Sequence, residues 1–165
     1  MVNVIKLRKG LDIKLAGAAE KKKIQLKSNG KYCLAPTDFV GVTPKVVVKE
    51  GDNVKAGDAL FINKNRPEVK FASPASGTVR AGVRGERRKV LGIMVEADGK
   101  QEATDFGKKD VDRLSGDEVV NALLEAGLFG YINQLPYAVV ATPAERPKSI
   151  FVSALRDKPL AADFE

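Results

Sequence analysis

Val48-Lys49-Glu50-Gly51-Asp52 is followed, one residue on, by a second copy of the same pattern, Val54-Lys55-Ala56-Gly57-Asp58, and then by Leu60. Each glycine can take positive φ in a tight turn, each aspartate can accept hydrogen bonds from nearby backbone, and each valine points inward. The repeat therefore predicts a compact corner that no helix can accommodate. Downstream, in Ala72-Ser73-Pro74-Ala75-Ser76-Gly77-Thr78-Val79, Pro and Gly bracket a further turn before a strand. Short β-branched runs surround these turns at residues 46–48, 60–62, 69–72, 78–83 and 90–95, the pattern of an all-β unit of short strands. Asp98-Gly99 is expected to close that unit with a hairpin-type turn, and the polar stretch to Lys109 reads as a connector.

Outside this unit the signals change. Residues 1–15 read as a short strand, a turn at Gly10 and a second extended piece; residues 16–30 read as a loop with the basic run Lys21, Lys22 and Lys23. Ser115 and Glu118 form an S-x-x-E capping box, Asp117 places negative charge at the positive end of the dipole, and Val119, Val120, Leu123 and Leu124 share one face, which predicts a helix. Gly127 is its left-handed terminator, with Leu128 as the Schellman partner of Leu123. The Pro-rich segment 136–147 reads as a wrapped linker, and Ile150, Phe151 and Val152 as a strand buried on both faces. Such a strand without its covering layers reads as a fragment, or as a new domain cut at its first element, and the expectation is the first strand of a truncated α/β domain. The expected organisation is thus residues 1–30 as amino-terminal strands and loop, 31–100 as a β-barrel unit, and 101–165 as a helix-containing connector leading into α/β structure.

The inventory of reactive groups excludes much chemistry. There is no His, and Cys33 is the single cysteine, so internal disulfides, structural zinc, iron-sulfur and His-ligated haem sites lack their ligands. No Ser-His-Asp or Cys-His constellation exists, and no G-x-S-x-G, G-x-G-x-x-G, Walker or calcium-loop motif replaces it. Cys33 is expected to be a small buried hydrophobe. No catalytic, cofactor-binding or metal-binding residue is assigned. The net charge of +7 favours an anionic neighbour, whether nucleic acid, an anionic membrane face or an acidic protein. No stretch approaches the roughly 20 apolar residues of a membrane-spanning helix, and the first nine residues alternate apolar with charged positions instead of forming a signal-peptide run, so a cytoplasmic location is expected.

The G-D-x-V-x-x-G-D-x-L pattern followed by A-S-P-A-S-G-x-V resembles the biotinyl and lipoyl carrier fold, a flattened barrel of two small sheets known as a barrel-sandwich hybrid. In that family a hairpin tip carries the modified lysine. Here the equivalent stretch is 61–69, with Lys64 expected close to the incoming strand and Arg66-Pro67 near the tip, and neither acceptor motif is present. Taken in order, further markers extend over almost the whole chain: Lys9-Gly10-Leu11-Asp12, Lys49-Glu50-Gly51-Asp52, Ser73-Pro74-Ala75-Ser76-Gly77-Thr78-Val79, Arg84-Gly85-Glu86-Arg87-Arg88, Ala126-Gly127-Leu128, Ile150-Phe151-Val152-Ser153-Ala154 and Pro159-Leu160-Ala161-Ala162-Asp163. They are similar to the amino-terminal part of the A subunit of the bacterial sodium-translocating NADH:quinone oxidoreductase, the NQR complex. The resemblance implies a peripheral segment on the cytoplasmic face of the inner membrane, holding no cofactor itself and packing against the membrane and flavin-bearing subunits. The complex would use NADH, flavins, an iron-sulfur centre and quinone. Where that family usually has an Arg-Pro-aromatic triplet after the helix, this chain has Leu135-Pro136-Tyr137 and loses a fixed cation.

Arg80, Arg84, Arg87, Arg88 and Lys89 lie in a predicted hairpin whose Gly82 and Gly85 would display them together, ready for carboxylates or lipid phosphates. Arg84, Arg87 and Arg88 are the candidate docking residues; a solvated, variably paired loop is the plain alternative. Two other readings come from different classes. An RNA-binding small β-barrel has the charge and the Arg cluster but few aromatics and no RNP-like or KH-like motif. A biotin- or lipoyl-type carrier has the fold but lacks the acceptor motif.

Overall fold

In a computed structural model, residues 16, 22, 24, 25, 27, 29–86 and 89–152 are described. The chain divides into two units, Ser28–Arg146, and Met1–Lys27 together with Pro147–Glu165. Among the described residues, all regular structure lies in the first.

Seven strands make the body: β1 (Lys31–Leu34), β2 (Pro44–Val46), β3 (Asn53–Val54), β4 (Ala59–Asn63), β5 (Arg66–Ala72), β6 (Gly77–Arg84) and β7 (Val90–Ala97). They form a four-stranded sheet in the order β1-β7-β6-β3 and a three-stranded sheet in the order β2-β4-β5, with every pairing antiparallel. Leu60, Phe61, Val69 and Phe71 from the smaller sheet and Val79, Ile93 and Val95 from the larger belong to one buried core. Each such fully buried side chain contributes roughly 1.5–3 kcal/mol. Along β5 the alternation is visible in burial: Val69 and Phe71 are buried while Glu68 faces water. This is the expected barrel-sandwich hybrid.

The repeat organises it. The Lys49 amide donates to Asp52 Oδ2 and the Lys55 amide to Asp58 Oδ2, both at 2.7 Å, so the two Gly-Asp corners are the same turn built twice. Gly51 and Gly57 take φ of +92° and +100°. Each corner then clamps one later residue: Gly51 N–H donates to the Val79 carbonyl and Val79 N–H to that of Asp52, while Gly57 N–H donates to the Ser73 carbonyl and Ser73 N–H to that of Asp58. The clamped residues come in the reverse order of the corners, the first corner gripping Val79 and the second Ser73, as antiparallel pairing requires.

The helix α1 (Gly116–Glu125) has its capping box, with Ser115 Oγ accepting from Glu118 N–H and the Glu118 carboxylate accepting from Ser115 N–H. Gly127, at φ +69°, completes a Schellman end in which Leu128 N–H donates to the Leu123 carbonyl at 2.9 Å and Gly127 N–H to that of Leu124 at 3.2 Å. That end rests on β5, where a methyl group on Gly127 would stand 2.9 Å from the Ala72 Cβ. Val120, Leu123 and Leu124 pack on the barrel core.

Four expectations are corrected. Asp98-Gly99 closes no hairpin; it turns the chain back beside the second corner, where Ala56 bridges Ala103 in parallel and Thr104 Oγ1 donates to Asp58 Oδ1 at 2.7 Å. The Pro-rich stretch contains a small hairpin, β8 (Asn133–Gln134) and β9 (Val139–Val140), with a cis Leu135-Pro136 bond at its tip. Val140 is buried and donates its N–H to the Val40 carbonyl, so the segment is anchored to the core and not simply wrapped on it. Ile150, Phe151 and Val152 have no regular structure and are 76–87% exposed, because no strand pairs with them among the described residues. Cys33 is exposed on the edge strand β1, above Gly92 of β7, which has no side chain to cover it. The strand β1 itself goes unannounced by its sequence, since Lys31, Tyr32 and Cys33 are all exposed and only pairing with β7 orders it.

The Asp58 side chain joins the second corner to the returning chain, whereas the exposed Asp52 carboxylate bonds the Lys49 amide of its own corner. Asp58→Ala is expected to cost about 2–3 kcal/mol and Asp52→Ala about 1 kcal/mol in urea unfolding, with unchanged m-values. The Glu118 carboxyl is held below its ordinary value by hydrogen bonds from the Ser115 hydroxyl and backbone N–H. A depressed carboxyl pKa adds stability that is present above the unfolded value of 4.5 and lost as pH falls through the folded one. The stability gap between wild type and Glu118→Gln should therefore be present at pH 7 and close as pH falls below that value, as read by thermal melts across pH.

Candidate functional site

The basic hairpin is formed by β6 and β7, closed by Gly85 N–H to the Lys89 carbonyl at 2.8 Å and Lys89 N–H to that of Glu86 at 3.1 Å. Arg84 pairs with Val90 across the strands and its side chain is exposed. Arg80 is engaged in a salt bridge to Glu96 across the same ladder and is no free cation. Glu86 shares the turn and tempers its charge. Arg87 and Arg88 lie outside the described residues, so the structure places Arg84 and Lys89 at the hairpin end.

The second hairpin, β4 to β5, turns through Lys64 and Asn65, with Asn63 paired to Arg66. Lys64 is therefore at the tip, and Arg66-Pro67 begins the returning strand, the reverse of the sequence expectation. Asn63 causes the tight turn: it is 2% exposed, and its Oδ1 accepts the Asn65 N–H at 3.1 Å. Lys64 N–H is tied to the Thr43 carbonyl at 2.7 Å while its side chain is exposed.

A polar cleft of about 390 Å³ lies beside the second corner, lined by Lys55, Asp58, Ser76, Asp98, Lys100 and Glu102 among others. Its charges are matched: Lys55 approaches Glu102 at 3.9 Å, and Asp98 accepts from Ser76 Oγ at 2.7 Å and from Lys100 N–H at 2.9 Å. These bonds, the serine's first, hold the Asp98 carboxyl below its ordinary value. The cleft is a polar network in which Ser76 and Asp98 bond to each other. Among the described residues no group of three or more His, Cys, Asp or Glu is placed to hold a metal ion, and no helix is long and apolar enough to cross a membrane.

Charge is distributed unevenly. Residues 31–146 hold 17 Lys and Arg against 16 Asp and Glu, whereas residues 1–30 hold eight against two. The chain's net positive charge is therefore concentrated in residues 1–30, and the body is nearly neutral.

One feature escaped the sequence reading. The end of α1 leads through a 3₁₀ turn, Phe129–Tyr131, into the β8–β9 hairpin, and the turn seats an aromatic cluster. Phe61 and Phe71 stack at 4.4 Å, Phe39 lies 4.4 Å from Phe71, and Tyr131 meets Phe39 edge-on at 5.3 Å. Gly130 lies so close to the Phe71 ring that no side chain fits there. The available signal was an absence of charge: residues 126–144 contain no Asp, Glu, Lys or Arg in a chain that is 30% charged.

Residues 5–98 match the family described as the NqrA N-terminal barrel-sandwich hybrid domain, and residues 114–165 match the NqrA second alpha/beta domain. Among curated proteins the chain is 37% identical over 166 residues to the A subunit of the Na(+)-translocating NADH-quinone reductase of Yersinia pseudotuberculosis serotype O:1b (strain IP 31758), covering 97% of this chain and 36% of that protein. It is 36% identical over 163 residues to the protein of the same name from Pseudomonas aeruginosa (strain UCBPP-PA14), with the same coverage. The chain thus spans little more than a third of the length of these relatives.

The Lys64 tip has the carrier-type position without the acceptor motif, and the expected intact mass is the unmodified 17.8 kDa. A biotinyl or lipoyl increment in the mass spectrum would reverse that reading.

Proposed function

Since the chain belongs to the family of NqrA N-terminal barrel-sandwich hybrid domains, we propose that it serves as a partner-binding segment of a sodium-translocating NADH:quinone reductase. The observation that carries this is the match to NqrA proteins along 97% of the chain. In this reading the segment performs no chemistry itself. It is a rigid peripheral body on the cytoplasmic face of the inner membrane, docked to the membrane and flavin-bearing subunits. The complex takes electrons from NADH to quinone and couples this to sodium export, with flavins and an iron-sulfur centre held by other subunits. The barrel of residues 31–100 is the docking body, and residues 101–165 lead from it into the α/β region.

The hairpin end carrying Arg84, with Arg87 and Arg88 adjacent in sequence, is the proposed contact. Arg84 is exposed, and its guanidinium suits bidentate pairing with a partner carboxylate. Its location on a strand end fixes the backbone, so docking costs side-chain ordering only.

Affinity capture of the tagged protein from detergent-solubilised membranes of its own organism tests the reading. Co-recovery of flavin-bearing subunits with sodium-stimulated NADH:quinone reductase activity is expected, and recovery alone from the soluble fraction would refute it. Arg84→Glu should lower that co-recovery about tenfold or more, by charge reversal at an interface, while leaving the thermal midpoint unchanged.

A further inference from the structure

The β8–β9 hairpin ends in large apolar side chains left in water: at its tip, in Leu135-Pro136-Tyr137, Leu135 is 69% exposed and Tyr137 82%. The loop is anchored from below. Val140 is buried and donates its N–H to the Val40 carbonyl at 3.0 Å, and Ala141 N–H donates to the Ile132 carbonyl at 2.9 Å. Val139 stands beside Gly41, where an added Cβ would lie 3.2 Å from the Val139 Cβ, so the tip leaves the body on the Gly41 side. On that side the chain goes on to Thr43, whose carbonyl accepts the Lys64 N–H at 2.7 Å and whose hydroxyl accepts from the Asn65 amide at 3.4 Å. The apolar tip and the Lys64 tip are thus tied to the two ends of one short stretch, residues 40–43. That border is basic. Residues 39–48 and 60–67 hold Lys45, Lys64 and Arg66 and no Asp or Glu, and among the described residues none of these three cations is in a salt bridge. The carboxylate tied to the hairpin, Glu145, accepts from Gln134 Nε2 at 2.9 Å.

We propose that this end of the body is a membrane-contact surface, in which Leu135 and Tyr137 enter the interfacial layer of an anionic bilayer while Lys45, Lys64 and Arg66 meet the lipid phosphates. The chemistry of the tip favours lipid as the occupant. Residues 126–144 carry no charge, so no ion is desolvated when the tip enters, and Pro136 removes a backbone donor that would otherwise lose its water. Leucine supplies apolar area, and tyrosine has the apolar body and polar end that suit the membrane–water boundary. The tip is an exposed turn and not a groove, so it enters a fluid layer without needing a complementary pocket. Unpaired cations on long stems beside it add attraction to anionic headgroups, about fivefold in affinity for each. The contact is with lipid itself and lies apart from the Arg84 hairpin end, so it stands whether or not Arg84 docks to a subunit.

The chain has no Trp, so Tyr137→Trp places a single fluorescent reporter at the tip. Vesicles of phosphatidylcholine with about 30% phosphatidylglycerol should shift its emission to the blue, brominated lipids should quench it, and vesicles of phosphatidylcholine alone should bind at least about tenfold more weakly. In co-sedimentation with the anionic vesicles, the paired change Leu135→Ser and Tyr137→Ser should lower affinity about tenfold or more. Lys64→Gln should lower it about fivefold, whereas Lys100→Gln, in the polar cleft beside Asp58 at the other end of β4, should lower it less than about twofold. Absence of binding, binding that leaves the reporter unshifted, or binding undiminished by the paired serine change would overturn the proposal. So would a shift without vesicles that grows with protein concentration, which would assign the tip to a second copy. A shift absent with vesicles and present only with the other subunits would overturn it too, by assigning the tip to a protein partner. Quenching of the Tyr137→Trp reporter by brominated lipid decides the matter by itself if the paired serine variant fails to fold.

Discussion

Two reciprocal backbone clamps, one at each sheet, set the register of the sandwich, and the rest of the body is arranged around them. Gly51 and Asp52 grip Val79; Gly57 and Asp58 grip Ser73. Each clamp joins the chain entering one sheet to a segment that returns much later in sequence. The positive φ of the two glycines lets the corner N–H groups point outward at the strand they grip, and the aspartates fasten each corner to itself. Because such hydrogen bonds are individually worth only about 1 kcal/mol net, their role is to set register more than to supply stability. The stability comes from the apolar faces that this register brings together.

With register fixed, the smaller sheet presents stacked Phe61 and Phe71, and the rest of the chain is built upon that pair. Phe39 and Tyr131 extend the stack, Gly130 permits close approach, and Gly127 lets the end of α1 rest against Ala72. The helix therefore belongs to the barrel's packing even though residues 114–165 match an α/β domain. One segment thus serves two structures, closing the barrel on one side and displaying apolar residues on the other.

Local chemistry made much of this legible in the sequence. The Gly-Asp repeat, the Ser115–Glu118 box and the Gly127 terminator are each determined by a few adjacent residues, and all three formed as read. What escaped depends on contacts between distant residues. Strand β1 exists only because β7 pairs with it, and the β8–β9 hairpin only because Val140 reaches the core through Val40. Lys64 was misplaced by two positions because the buried Asn63, whose side chain sets the turn, looks in sequence like any polar loop residue. The uncharged segment was visible as composition but had no local meaning until its exposure was known.

Amide hydrogen exchange, resolved by residue, tests the clamps directly. If they hold the fold, the amides of Gly51, Gly57, Ser73 and Val79 will be among the slowest in the chain and will exchange together through global unfolding, with one common free energy. Fast exchange of either glycine, or separate free energies for the two corners, would contradict the account and leave the apolar core as the only determinant of register.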